Sequence, residues 1–313
     1  MNKKVLILDR VDSLFLERLP QMAFDVEEAY DRKAEDINWS AYHGLVLRSR
    51  MPINAAILQQ CSQMRFIARV GAGLENIDLD AAAAQSITVL SAPEGNRNAV
   101  GEQALGMLLA LFNRLLIADR EVREGLWLRS ENRGYELKGK VVGLVGYGNT
   151  GSAFAKKLRG MECQVLAYDK YKKGFSSPQV EEVSLDRLKR EADVISFHLP
   201  QTSETDHLFN EEFINSCKKD FFLINTARGS IVDTKALVKA LKLDKVRGAC
   251  LDVLEFEKSS FENIANEQSK PELDFLLKSD KVVLSPHIAG WTFESRLRMA
   301  DILLHKIEKL AYD

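Results

Sequence analysis

The sequence predicts an α/β protein with two parallel-sheet domains, and three observations carry that prediction. Short apolar runs alternate with segments of helical periodicity along the chain, the rhythm of strands joined by crossover helices. At 313 residues the chain exceeds what one hydrophobic core ordinarily serves. A second β/α series starts near the middle, at "KVVGLVGYGNTGSAFAKKL", with glycines spaced as in a phosphate-binding turn.

The elements follow in order. "KVLILD" reads as a strand and "VDSLFLERL" as a helix. "GLVLRS" then "NAAILQQC", and "MRFIARVGAG" then "LDAAAAQS", repeat the pair, and "ITVLSAP" adds a strand. Residues 98–125 have dense apolar positions at helical spacing, which predicts one long buried helix. "GLWLRSENRGYELKGK" is a polar, glycine-punctuated connection. The second series has strands at "VVGLVG", "QVLAYD", "DVISFHL", "FFLINTA", "VRGACLDV" and "KVVLSP". "EKSSFENIANEQSKPEL" reads as a long surface loop, and "TFESRLRMADILLHKIEKLAYD" as an amphipathic helix.

The bulk numbers narrow the class of function. A formal net charge of -2 gives no electrostatic reason to expect nucleic acid or an anionic membrane as partner. No apolar run approaches the roughly 18 residues of a membrane span, and the apolar stretch Val5–Leu8 is too short for a signal peptide. Cys61, Cys163, Cys217 and Cys250 are scattered, which fits a reduced, cytoplasmic compartment and supplies no metal-ligand spacing. No bound metal is expected.

Gly146, Gly148 and Gly151 form G-x-G-x-x-G between an apolar strand and a helical pattern. One glycine makes the tight turn, one admits a pyrophosphate and one lets helix pack on strand. The helix start then offers N–H groups and partial positive charge to phosphate. Asp169 ends the second strand eighteen residues beyond Gly151, near the about 20 expected of the acid that holds ribose hydroxyls. A carboxylate there repels a 2′-phosphate and favours NAD over NADP. The lysines of "KYKK" could receive that phosphate, but such a run more often marks a solvated face.

Dehydrogenation of an alcohol needs a proton acceptor and a cation for the substrate's oxygens. His43, His207 and His305 lie in turn, polar and terminal-helix contexts, and His198 follows a strand without a partner signal. His287 follows "KVVLSP", Arg228 follows "FFLINTA", and Glu257 lies past "VRGACLDV". Ligands of open α/β sheets bind outside the carboxyl ends of strands, where all three stand. Arginine suits a carboxylate, and a carboxylate beside histidine fixes its tautomer.

The chain resembles the D-isomer-specific 2-hydroxyacid dehydrogenases along nearly its whole length. The resemblance lies in "RVGAGLENIDLDAAAAQSITVLSAPEGNRNAVGEQALGMLLAL", "LVGYGNTGSAFAKKL", "LINTARGSIVDTKALVKAL", "GACLDVLEFEKS" and "SPHIAGWT". It implies two doubly wound domains, a Rossmann-type cofactor domain (100–289) inserted into a flavodoxin-like substrate domain (1–99 and 290–313). Hinges are then expected near Ala99 and Ala289, with the active site in the cleft. The catalytic residues become Arg228, Glu257 rather than Glu255, and His287. Implied cofactor contacts are Gly146, Gly148, Asn149, Thr150, Gly151, Asp169, Pro200, Thr226, Ala227, Arg228, Asp252, His287 and Gly290, with Asp252 facing the nicotinamide carboxamide. The backbone of Gly71, Ala72 and Gly73 would cradle the substrate carboxylate.

The family usually has proline after the glutamate, where this chain has Lys258, so a less rigid loop is expected there. A homodimer through residues 98–140 is also implied. "GLVLRSRMPIN" resembles the loop of D-3-phosphoglycerate dehydrogenases; Arg48 and Arg50, flanking Ser49, would share one face of a strand end and hold a phosphate. This points to 3-phosphoglycerate and 3-phosphohydroxypyruvate, the first step of serine synthesis, with glyoxylate or hydroxypyruvate reduction as the alternative. Because the chain ends at Asp313, the regulatory domain appended to some such enzymes is expected to be absent. An NAD-sensing corepressor is the alternative of another class, since those proteins keep similar residues. A methyltransferase would give the three catalytic residues no role.

Overall fold

The computed structural model describes residues 3–257 and 270–312. Lys258 and most of the expected loop "EKSSFENIANEQSKPEL" lie outside the described residues. The chain divides into two compact units, one of Met1–Arg97 with Trp291–Asp313 and one of Asn98–Gly290.

The first unit holds strands β1 (Lys3–Ile7), β2 (Phe24–Glu28), β3 (Gly44–Leu47), β4 (Phe66–Arg69) and β5 (Thr88–Leu90). They form a parallel sheet in the order β2-β1-β3-β4-β5. Helices α1 (Leu14–Gln21), α2 (Ala55–Leu58) and α3 (Leu79–Ala84) connect them, and α11 (Phe293–Tyr312) returns from the far end of the chain. Both sheet faces are buried, as a parallel sheet requires. Val5 and Ile7 pack with Phe15 and Leu19 of α1 and with Leu303, Leu304 and Ile307 of α11. Leu6 and Leu8 pack on the other face with Trp39, Ile57 and Leu58. Strand β2 has no counterpart in the sequence reading. It is an edge strand, polar at Asp25, Glu27 and Glu28, and only Phe24 is buried.

The second unit holds β6 (Val141–Val145), β7 (Gln164–Tyr168), β8 (Glu181–Glu182), β9 (Val194–Phe197), β10 (Phe221–Asn225), β11 (Val246–Leu251) and β12 (Val282–Leu284). Its helices are α5 (Leu115–Arg123), α6 (Asn149–Lys157), α7 (Leu185–Glu191), α8 (Glu211–Ser216), α9 (Thr234–Lys242) and α10 (Pro271–Lys278), together with most of α4 (Pro93–Phe112). The order β12-β11-β10-β9-β6-β7-β8 reverses direction between β6 and β9, the switch point at which doubly wound sheets bind ligands.

The single helix expected over 98–125 is two helices. Helix α4 begins at Pro93, a residue suited to a first turn. The break falls at Arg114, whose φ of 51° is left-handed, and α4 and α5 diverge by 58°. Apolar density predicted the helical content but not the end, because no glycine or proline marks it. Nor is α5 buried all round: Ile117 faces inward, but Leu115, Leu116 and Val122 are at least half exposed. Among the described residues no single helix is long and apolar enough to cross a membrane.

Candidate active site

The structure places the expected cofactor and catalytic residues at the carboxyl ends of the second unit's strands. Gly146 follows β6 with φ 98°, and a Cβ there would meet the His198 carbonyl at 2.3 Å. A Cβ on Gly151 would meet the Gly146 carbonyl at 2.2 Å, so the start of α6 presses on its own loop. Gly148, the N-cap of α6, faces open space, with nothing within 4 Å of a built Cβ. A tight turn, a close helix approach and an open helix start are together what a pyrophosphate requires.

His198, which the sequence left without a partner, braces this loop. Its Nε2 meets the Ser196 hydroxyl at 2.9 Å and its Nδ1 the Thr150 hydroxyl at 3.3 Å. Burial pushes its pKa down to about 3, so the ring is neutral and serves structure rather than proton transfer. Asp169 caps the opposite side. Its carboxylate accepts from the N–H groups of Tyr147 (2.8 Å), Lys172 (2.8 Å) and Tyr171 (3.0 Å). Burial raises this carboxyl's pKa, but those N–H groups, led by that of Lys172, hold it below the usual carboxylate range. The lysines nearby have other partners: Lys170 pairs with Glu204 at 2.8 Å and Lys173 bonds the Asp169 carbonyl at 2.8 Å.

Thr226, Ala227 and Arg228 follow β10. The turn is set by Asn225, fully buried, whose amide accepts from the Ala227 N–H at 3.1 Å and donates to the Arg228 carbonyl at 2.9 Å. The Arg228 guanidinium is steadied by the Ala227 carbonyl at 2.6 Å. The Thr226 hydroxyl is buried without a hydrogen-bond partner, an orphan that suits a bound polar group. The sequence reading missed Asn225, although an asparagine inside the apolar run "FFLIN" is a signal of buried polar work. Pro200 lies beyond β9, and its carbonyl accepts from the Thr205 hydroxyl at 2.7 Å.

His287 and Glu257 meet. His287 Nδ1 lies 2.7 Å from Glu257 Oε2, and the other Glu257 oxygen accepts from the Leu254 N–H. His287 takes φ 54°, a conformation uncommon outside glycine and tolerated by histidine. Asp252 anchors the loop that carries it. Its buried carboxylate accepts from the Ser285 hydroxyl (2.5 Å) and from the N–H groups of Ile288 (2.9 Å) and Ala289 (2.9 Å). The Asp252 carbonyl accepts from the His287 N–H at 2.8 Å. Gly290 closes this segment and this unit. Of the two glutamates it is Glu257 that meets His287, while Glu255 pairs with His207 at 2.8 Å.

The first unit carries the expected substrate residues at its own strand ends. Arg48, Ser49 and Arg50 follow β3, and Gly71, Ala72 and Gly73 follow β4. Gly71 has φ 157° and lies under the Arg69 guanidinium. The shared face expected of Arg48 and Arg50 is not found. Strand β3 ends at Leu47, so strand alternation does not govern these residues. Arg50 donates to the carbonyls of Leu8 (3.0 Å), Arg32 (2.7 Å) and Ala29 (3.1 Å), which ties three loops together. Arg48 instead stacks on Trp291, with its guanidinium carbon 3.6 Å from the ring centre. Burial, then the like charges of Arg69 and Arg296, lower the Arg48 pKa to about 10 against the pull of Asp9.

Comparison with known proteins adds to this geometry. Residues 105–289 match the family model described as the NAD-binding domain of D-isomer-specific 2-hydroxyacid dehydrogenases. A D-3-phosphoglycerate dehydrogenase of Archaeoglobus fulgidus is 35% identical over 98% of this chain, which spans 57% of that protein's length. A glyoxylate reductase of Thermofilum pendens is 39% identical over 80% of this chain and 73% of its own. A D-lactate dehydrogenase from Aquifex aeolicus, solved with NAD and lactic acid, superposes with a TM-score of 0.83 at 26% identity, covering 99% of this chain and 96% of that one.

Proposed function

Because this chain belongs to the D-isomer-specific 2-hydroxyacid dehydrogenase family, we propose that it transfers hydride reversibly between C2 of a D-2-hydroxy acid and NAD. The observation that carries this reading is the 2.7 Å contact of His287 Nδ1 with Glu257, beyond β12 of the sheet that bears Arg228 and the glycine loop. Gly148, the start of α6, Asp169 and the Thr226 hydroxyl would hold NAD, which supplies the hydride acceptor when bound. With Nδ1 engaged, Nε2 of His287 is the atom that exchanges the proton. In oxidation it takes the C2 hydroxyl proton as hydride leaves C2 and the C2–O bond becomes a carbonyl. In reduction it returns that proton to the carbonyl oxygen. Glu257 fixes the tautomer and stabilises the imidazolium. Arg228 pairs with the substrate carboxylate and polarises the carbonyl. The backbone of Gly71, Ala72 and Gly73 would receive the same carboxylate.

For the substrate we infer 3-phosphoglycerate and its keto acid, with Arg48 as the phosphate ligand. Arg48 supports it, because its half-buried guanidinium, stacked on Trp291 and flanked by Arg69 and Arg296, gains from a dianion. A second reading, reduction of glyoxylate or hydroxypyruvate, is favoured by Arg50, whose guanidinium is engaged by three carbonyls and adds little to a phosphate site. Loss of NADH absorbance with phosphohydroxypyruvate, hydroxypyruvate, glyoxylate and pyruvate separates them. Turnover confined to phosphohydroxypyruvate supports the first, and turnover confined to the others supports the second. NADH binding without turnover of any of them would sink hydride transfer and favour an NAD-sensing role.

A further inference from the structure

The acid of the His287–Glu257 pair stands on a turn that is itself held. Residues 254–257 include Glu257, meet His287 and lie against Gly229, the neighbour of Arg228. The Leu254 carbonyl lies against Gly229, next to Arg228, where a built Cβ would come within 2.0 Å of it. The Leu254 N–H donates to the Glu257 carboxylate, and the Glu257 N–H returns to the Leu254 carbonyl at 3.1 Å. The remaining Glu257 oxygen meets His287. In the middle of this turn Glu255 has its own partners: His207 Nε2 at 2.8 Å and the N–H of Thr234, the first residue of α9, at 3.0 Å.

His207 is fixed in turn. Its N–H donates to the Ser230 carbonyl at 2.7 Å, and Phe209 and Asp233 exchange further backbone bonds with the same segment. It holds φ 47°. The groups that act on its charge are Glu255, Asp206 and Asp233. The Glu255 hydrogen bond raises its pKa above the ordinary value, against burial, which strengthens the pair near neutral pH.

We propose that Glu255 and His207 form a second glutamate–histidine pair that positions the first. They are positioning residues: they clamp the 254–257 turn and through it set the aim of Glu257. The proposal rests on the hydride-transfer reading above. It follows because a short turn bonded only at Leu254 and Glu257 leaves the carboxylate free to swing, and misplacing a catalytic partner by about 1 Å can lower a rate 10²-fold.

The test uses the full chain with Glu255→Gln, His207→Ala and His207→Gln. The readouts are keto-acid reduction, NADH affinity by fluorescence, melting temperature and amide exchange. Glu255→Gln and His207→Ala are expected to lower kcat about tenfold and leave KM and NADH affinity within about twofold. His207→Gln keeps a side-chain N–H for Glu255 and is expected to recover kcat to within about threefold of native. The amides of Leu254 and Glu257 are expected to exchange about tenfold faster in the first two variants. Native kcat and native exchange in Glu255→Gln would overturn the proposal, as would equal losses of melting temperature, NADH affinity and kcat. No turnover by the native protein would count against hydride transfer alone, and faster exchange in the variants would then still uphold the clamp.

Discussion

His287 combines an uncommon backbone conformation with a ring nitrogen held by Glu257, so its replacement removes both the proposed proton carrier and the partner of Glu257. His287→Asn is expected to lower kcat for keto-acid reduction by about 10²–10⁴-fold. A loss below about tenfold would remove it as the acid–base group. His198 gives a prediction of opposite character. Its folded pKa of about 3 lies below the unfolded value near 6.5, so in that interval the unfolded chain binds a proton the native one refuses. Its contribution to stability is therefore present above about pH 6.5 and lost as pH falls toward the folded value, by up to about 1.4 kcal/mol per pH unit. His198→Gln should flatten the fall of melting temperature with acidification, and an unchanged slope would refute this. The sequence exposed Arg228 and His287 because each follows an unmistakable apolar strand. It hid the partners of His198 and Glu255, since Thr150 and His207 are 48 residues away from them in the chain. Arg50 lies three residues past the end of β3, where strand alternation no longer sets a side chain's direction.

The parallel strands were legible as elements because burial on both faces demands near-continuous apolar runs. Strand β8, two residues long, and the polar edge strand β2 had no such run. The junction of α4 and α5 escaped because Arg114 adopts a left-handed conformation without a glycine to announce it. The loop after β12 depends on a single carboxylate. Asp252→Asn would turn an amide nitrogen toward N–H or hydroxyl donors and leave at least one of them unsatisfied in a buried place. A loss of about 2–4 kcal/mol in urea unfolding is expected, with a fall in kcat from the loosened His287. A loss below about 0.5 kcal/mol would show that the loop holds its shape without the charge.

At the scale of the molecule, α5 and the following arm present Leu115, Leu116, Leu126, Trp127 and Leu128, all well exposed. Such an exposed apolar run suits a self-association surface, and we propose that two copies meet there. Sedimentation is expected to give twice the chain mass for the native protein and the single-chain mass for a Leu116→Glu, Trp127→Glu double variant. A native monomer would refute it. The interruption of the first unit by the second has a consequence for synthesis. Its sheet leaves the ribosome before the second unit, yet Met299, Ala300, Leu303, Leu304 and Ile307, which cover one face of that sheet, leave after it. At about 5–20 residues per second, translating 98–290 keeps that face uncovered for roughly 10–40 s. The later unit is contiguous and free to fold as it emerges, so the part made first is the part finished last. A nascent chain of this design spends that interval with Val5, Ile7 and Phe15 exposed to whatever apolar surface comes near.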